Sequence, residues 1–143
     1  MFVLDSRLRN DTLVVGQLPL SSVLLSKDSN YPWCILVPRR NNIREIYQLE
    51  RADRLQLLEE SCILSEVMDG LFKPSKMNVA ALGNMVPQLH LHHIARYEND
   101  PAWPGPIWGA ATANPYTDKQ GSKRLDELQR ALAGANCSFE ANG

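Results

Sequence analysis

The chain has 143 residues, and its 15 lysine and arginine residues nearly balance 16 aspartate and glutamate residues, so its formal net charge at pH 7 is −1. This length fits a single domain, residues 1–143, with a sizeable core. Non-specific attraction to nucleic acid or to an anionic membrane depends on clustered positive charge, so we expect neither as a partner.

The cysteines and the pattern of apolar runs predict the compartment. Three cysteines form neither a CxxC pair nor an even set for disulfides, which favours reduced thiols. Charges interrupt the N-terminal residues before a signal-peptide core is reached, and no apolar run approaches the roughly 18 residues of a membrane span. We therefore expect a cytoplasmic protein.

Three short strands are predicted near the N-terminus, at residues 12–17, 23–26 and 34–37. Segments that contain proline separate them. They are expected to be neighbours in an antiparallel meander.

A long helix is predicted at residues 51–72. Leu57, Leu64 and Leu71 recur every seven residues, which indicates one apolar helix face. The glutamates of this segment, Glu60 among them, fall largely outside that face. We expect the helix to cover a sheet.

A further strand is predicted at residues 76–86, turning at Gly83-Asn84 into the segment that follows. Glycine and asparagine both tolerate positive φ, as tight hairpin turns require. This pairing would bring Asn78 beside the next segment, residues 86–96.

All three histidines of the chain lie in that segment, at positions 90, 92 and 93. Alternation of side chains in a strand would project Gln88, His90 and His92 from one face and His93 from the other. A neutral imidazole is a competent nucleophile near pH 7, and a second one can supply a hydrogen bond or a proton. Metal binding by the His90 and His92 pair and a purely structural use are the alternatives.

Proline and glycine are too frequent in residues 96–109 for regular structure. Arg96 could pair with a phosphate, and Trp103 or Trp108 could shape a pocket, although we favour their anchoring the loop to the body. A last helix is predicted at residues 123–133, with Ser122 as its N-cap.

The stretch Gln88-Leu89-His90-Leu91-His92-His93-Ile94 resembles the histidine-triad signature of the HIT family, in which histidines alternate with apolar residues. Gln88 stands where the first histidine is usual, as in a variant bacterial HIT-like protein. The resemblance implies an α+β fold with an antiparallel sheet, a long helix packed on it and a C-terminal helix. It also implies a homodimer.

The family's nucleophile maps onto His90 and its third histidine onto His92. By the same resemblance, Asp28 lies near the position that binds ribose, Asn78 matches a phosphate-contacting amide, and Asn84, in the turn before the triad, is assigned to the nucleotide site.

These residues together predict a hydrolase or nucleotidyl transferase that acts at the α-phosphorus of a nucleoside phosphate derivative. His90 would form a covalent nucleotidyl intermediate, His92 would hydrogen-bond the phosphoryl oxygen or the leaving group, and Gln88 would orient the phosphate and the neighbouring imidazole. A purine nucleotide is expected by analogy, with no required cofactor and with magnesium arriving only with a polyphosphate. The alternatives are a nucleotide-binding module with weak catalysis and a metal-dependent hydrolase.

Overall fold

Six strands form one antiparallel sheet in the computed structural model, which describes residues 1–141. In chain order they are β1 (Thr12–Gln17), β2 (Ser21–Ser26), β3 (Trp33–Pro38), β4 (Lys76–Ala80), β5 (Leu91–Arg96) and β6 (Glu140–Ala141). Their order across the sheet is β4-β5-β3-β2-β1-β6, so β5 is held between β4 and β3. The predicted meander of the first three strands is confirmed.

Three α-helices accompany the sheet: α1 (Ser6–Asn10), α2 (Arg51–Phe72) and α3 (Asp118–Ala133). A 3-10 turn, Ile46–Gln48, precedes α2. Helix α2 packs against β5 and α3 against β1, and the two helices contact each other. The main apolar core therefore lies between the sheet and this helical layer, which confirms the predicted α+β class.

Of the predicted apolar face of α2, Leu57 and Leu64 are buried and Leu71 packs, partly buried, against the same core. Glu60 departs from the predicted pattern, because it is completely buried. Its carboxylate accepts the backbone N–H groups of Leu20 and Ser21 at 2.8 and 3.0 Å. The prediction that Glu60 falls outside the buried face is wrong, since periodicity does not reveal a carboxylate that binds a strand turn.

Helix α3 begins five residues earlier than predicted, and Ser122 is not its N-cap. Thr117 is the N-cap, and its hydroxyl accepts the N–H of Gln120 at 3.2 Å. The Gln120 side chain in turn accepts the N–H of Thr117 at 3.1 Å. This capping box satisfies two N–H groups at the start of the helix.

The predicted hairpin at Gly83-Asn84 is wrong. Strand β4 ends at Ala80, which pairs with His92, and residues 81–90 connect the two strands irregularly. Pro87 lacks the N–H that a continued ladder would use. As a consequence Gln88 and His90 lie outside the strand, where alternation no longer decides their directions.

The N-terminal segment covers the sheet face opposite the helices. Phe2 and Leu4 pack against a small apolar cluster that includes Leu8, Leu24 and Ile35. Among residues 1–141, no helix combines the length and apolar character that crossing a bilayer requires. The site described next lies on the same sheet face as this segment.

Candidate active site

The strand β5 divides two of the histidines between the faces of the sheet. His93 pairs in register with Cys34 and faces α2, where its Nε2 lies 2.7 Å from the Ser61 hydroxyl. His92 pairs with Ile35 and faces the other side. The predicted separation of His92 from His93 is therefore confirmed.

His90 lies immediately before β5, and it is 6% exposed. Its Nδ1 lies 2.7 Å from the backbone carbonyl oxygen of Gln88. A carbonyl only accepts, so Nδ1 carries a proton, and in the neutral ring the lone pair is on Nε2. The Nε2 atom has no hydrogen-bond partner within residues 1–141. A neutral imidazole held in this way is poised as a nucleophile.

His92 has both ring nitrogens occupied. Its Nε2–H donates to the Leu82 carbonyl at 2.8 Å, and its Nδ1 accepts the indole N–H of Trp33 at 3.0 Å. Burial lowers the pKa of His92 to about 4, although the Leu82 hydrogen bond acts in the opposite direction. The His90 and His92 ring centroids are 4.9 Å apart. The neutral His92 ring therefore lies beside the His90 ring, whose Nε2 has no partner among residues 1–141.

Two tryptophans complete the surroundings of His92. The Trp108 ring lies edge-on to His92 at 5.0 Å and to Trp33 at 6.3 Å. Trp108 therefore anchors its loop, as we favoured, and also forms part of the site. Sequence reasoning missed Trp33, whose only signal was an aromatic residue at the start of β3.

The Gln88 side chain points away from the imidazoles, and the prediction that it joins their row is wrong. Its Oε1 accepts the N–H of Asp5 at 2.8 Å, and its Nε2 donates to the Val3 carbonyl at 2.9 Å. The side-chain amide thus pairs with a backbone N–H and a backbone carbonyl of the N-terminal segment, as the backbone of a neighbouring strand would. Gln88 does orient His90, but through its backbone carbonyl.

Gly83 allows the connection to pass close to His90. A Cβ at position 83 would lie 2.9 Å from His90 Cε1 and 2.8 Å from the Val86 carbonyl oxygen. Real Cβ atoms do not approach other atoms so closely, so the absence of a side chain, and not a turn conformation, explains this glycine.

Asp28 lies at a cavity of about 520 Å³, which Trp33 and Trp108 also line. Its Oδ1 accepts the N–H groups of Asn30 and Asn114 at 3.0 and 3.1 Å. Its Oδ2 has no hydrogen-bond partner among residues 1–141. One carboxylate oxygen is therefore held by the loops and the other is left for a ligand.

Arg96 is buried and already occupied, so the prediction that it pairs with phosphate is wrong. Its guanidinium bonds both carboxylate oxygens of Asp100, at 2.8 and 3.0 Å, and the side-chain oxygen of Asn78 at 2.8 Å. Burial acts to raise the pKa of Asp100, but hydrogen bonds from Arg96 and three backbone amides lower it to about 2. Asn78 lies on the same sheet face as His92, with its oxygen fixed by Arg96.

Asn84 and His90 line a second cavity of about 320 Å³. Both cavities are within the size range of small-molecule sites. His90 lines the second cavity and Trp108 lines the first, and the His92 ring contacts both of their rings. The structure thus brings His90 and Asn84 together and His92 next to His90, while Asp28 belongs to the larger cavity.

Possible metal ligands are dispersed. Within residues 1–141, no three histidine, cysteine, aspartate or glutamate side chains are grouped so as to hold a metal ion. Asp100, the acidic residue nearest to β5 with a fully bonded carboxylate, is paired with Arg96.

Comparisons with known proteins agree with this geometry. The HIT domain family model matches residues 7–99. A crystal structure of a histidine triad protein from Marinobacter aquaeolei VT8 is 55% identical, with 93% of this chain and 97% of that chain covered and a TM-score of 0.90. A histidine triad protein from Bradyrhizobium japonicum is 44% identical, with coverages of 92% and 98% and a TM-score of 0.90.

A third structure, of a histidine triad protein from Sinorhizobium meliloti, is 37% identical, with coverages of 92% and 97% and a TM-score of 0.89. A search of curated proteins gave no match. The family match, these relatives and the histidine geometry agree, and the chain belongs to the HIT family, whose members are generally nucleotide-binding hydrolases or transferases.

Proposed function

We propose that the protein cleaves a nucleoside phosphate derivative at its α-phosphorus by way of a nucleotidyl intermediate on His90. One observation carries the proposal. The Gln88 carbonyl accepts a hydrogen bond from Nδ1–H of His90, the Nε2 atom is unpaired among residues 1–141, and His90 lines a cavity. Loss of either feature would leave no activated nucleophile at the site.

The reaction has two displacement steps. The Nε2 lone pair of His90 attacks the α-phosphorus, a nitrogen–phosphorus bond forms, and the bond to the leaving group breaks with its electron pair; an amine leaving group takes up a proton from solvent. The imidazolium that results keeps its Nδ1–H on the Gln88 carbonyl. Water then attacks phosphorus and loses a proton to solvent, the nitrogen–phosphorus bond breaks with its electron pair returning to Nε2, and a nucleoside monophosphate and neutral His90 are released.

His92 would serve this reaction as a neutral hydrogen-bond donor. Its depressed pKa keeps it uncharged at neutral pH, and its proton resides on Nε2. A phosphoryl oxygen would replace the Leu82 carbonyl as acceptor of that proton. A hydrogen-bond donor already in place would then stabilise the negative charge that develops on the phosphoryl oxygens.

The larger cavity is the proposed nucleoside site. Its tryptophans, Trp33 and Trp108, offer aromatic surface to a purine base, and the free Oδ2 of Asp28 offers an acceptor to ribose hydroxyls. Arg96 occupies the oxygen of Asn78, which leaves the amide N–H groups of that side chain as donors for phosphate.

A cytoplasmic homodimer completes the proposal. The three cysteines are free thiols, and β4 forms an edge of the sheet with no strand outside it among residues 1–141. Sedimentation equilibrium would test the dimer directly. A single species at the mass of one chain would contradict it.

A nucleotide-binding module without efficient catalysis is the second candidate. Two observations favour it: both nitrogens of His92 are occupied, and the Gln88 amide is committed to the N-terminal segment. Only His90 would then remain to assist cleavage.

Calorimetry and a turnover assay on the same protein distinguish the candidates. The assay follows nucleoside monophosphate release from dinucleoside polyphosphates, nucleoside phosphoramidates and acyl adenylates, with and without a chelator. We expect turnover of at least one class that persists in chelator for substrates without a polyphosphate. Tight binding with no turnover would establish the binding module, and activity abolished by chelation would favour the metal-dependent alternative.

A further inference from the structure

The smaller cavity is lined by a positively charged side chain that the proposed mechanism does not use. Two chain segments form this cavity: residues 44–45, just before the 3-10 turn, and residues 81–90, which contain His90. The backbone N–H of Leu89 donates to the Ile43 carbonyl at 2.9 Å and joins the segments. Groups from both segments therefore keep a defined relation to His90.

Arg44 is that cation. Arginines 7, 40, 96 and 130 are in ion pairs, whereas the Arg44 guanidinium has neither an ion pair nor a hydrogen bond within residues 1–141. Its backbone is nevertheless fixed, because its N–H donates to the Gln48 side chain at 2.9 Å. Arg44 is exposed, and a guanidinium without an anionic partner at the edge of a polar cavity is suited to bind an anion.

Glu45 is the one acidic residue that lines the cavity, and it forms no ion pair with Arg44 in the described part of the chain. Asn84, which lines the cavity from the other segment, adds an exposed amide. The cavity therefore presents a guanidinium that no carboxylate holds, together with an amide, on the same lining as His90.

We propose that this cavity is the subsite for the leaving group and that Arg44 selects leaving groups that carry negative charge, such as phosphates or carboxylates. The inference rests on the proposed function. With phosphorus bonded to His90 at this cavity and the nucleoside in the larger one, the departing group would lie near Arg44. The guanidinium would stabilise negative charge on that group. Arg96 cannot do this, because it is buried and paired.

The test uses two adenosine 5′-phosphoramidates whose leaving amines are β-alanine, with a free carboxylate, and β-alanine methyl ester, without one. We expect the wild-type protein to favour the charged substrate in kcat/KM. Arg44→Met should lower kcat/KM for the charged substrate by about 10-fold or more and change that for the ester by less than about twofold. Arg44→Lys should retain part of the preference, since it keeps the charge without the planar fork.

Arg54→Met is the matched control, because Arg54 is an exposed arginine of α2 that does not line the cavity. It should behave as wild type towards both substrates. Equal ratios of charged to neutral turnover in wild type and Arg44→Met would overturn the subsite while leaving the proposed function intact. No turnover of either substrate by wild type, together with none of dinucleoside polyphosphates or acyl adenylates, would instead refute the proposed function, and the subsite with it.

Discussion

Strand β5 and the ten residues before it differ in regularity and in how completely their histidines are paired. Every residue of β5 is buried, and its polar side chains are paired: His92 with Trp33, His93 with Ser61 and Arg96 with Asp100. Residues 81–90 are irregular and border a cavity.

His90 stands where the two regions meet, with one nitrogen held and the other unpaired. The difference shows why the reactive imidazole lies outside the strand. Within the sheet, burial requires each polar group to find a partner. Where the ladder ends, a ring can be held through one nitrogen and keep the other for chemistry.

Removing the unpaired Nε2 of His90 should have the largest effect on turnover. In His90→Asn the side-chain N–H can still donate to the Gln88 carbonyl, but no nucleophilic Nε2 remains. We expect turnover to fall by at least about 10³-fold, with nucleotide affinity changed far less. Steady-state kinetics and calorimetry on one preparation measure both, and turnover within 10-fold of wild type would be incompatible with covalent catalysis by His90.

The buried histidines of β5 should make stability depend on pH. Burial lowers the pKa values of both His92 and His93 to about 4, against an ordinary value of 6.5. The unfolded chain therefore binds these protons first as pH falls, so stability is full above about pH 6.5 and is lost between there and about pH 4. Each histidine contributes up to about 3 kcal/mol to this loss.

Urea denaturation at several pH values measures the slope. In a His93→Asn variant, the free energy of unfolding should depend less steeply on pH than in wild type, because one titrating group is gone. A free energy of unfolding that is constant from pH 7 to pH 5 would contradict the buried, neutral state of these rings.

A methyl group at position 83 should disturb His90 without unfolding the protein. The Gly83→Ala side chain would meet His90 Cε1 and the Val86 carbonyl at less than 3.0 Å. Displacement of the nucleophile by a fraction of an ångström to 1 Å should lower kcat by about 10- to 100-fold. The control is Gly70→Ala in α2, where an added Cβ meets nothing within 4 Å and should raise stability by about 0.5–1 kcal/mol. Equal activity of the two variants would argue against close packing at His90.

Gln88→Leu should have the smallest effect, because it removes only the link to the N-terminal segment. Loss of two hydrogen bonds should lower the free energy of unfolding by about 1–3 kcal/mol and reduce turnover modestly. Deletion of residues 1–4 removes one of the same bonds from the other side, so the two changes should be clearly non-additive in thermal denaturation. Fully additive losses would show that Gln88 stabilises the protein by other contacts.

Much of the fold was predictable because local patterns determine it. The periodicity of α2 placed that helix at its observed bounds, and the alternation within β5 correctly separated His92 from His93. The start of α3 was missed because Thr117 and Gln120 act through capping, which the apolar pattern does not show.

The site was predictable in its residues more than in its contacts. The triad resemblance identified His90, but the strand pattern was extended three residues too far and so misdirected Gln88. Two partners become evident only in three dimensions: Asp100, which a folded loop returns to nearby Arg96, and Trp33, which is distant from His92 in sequence and meets it across the sheet.

Trapping the intermediate tests the role of His90 most directly. Protein mixed with a hydrolysable substrate is denatured within milliseconds at alkaline pH, where a histidine–phosphorus bond survives, and is then mapped by mass spectrometry. We predict a nucleoside monophosphoryl group on His90 in wild type and none in His90→Asn. An adduct on His92 or His93, or one undiminished in the variant, would contradict the proposed chemistry.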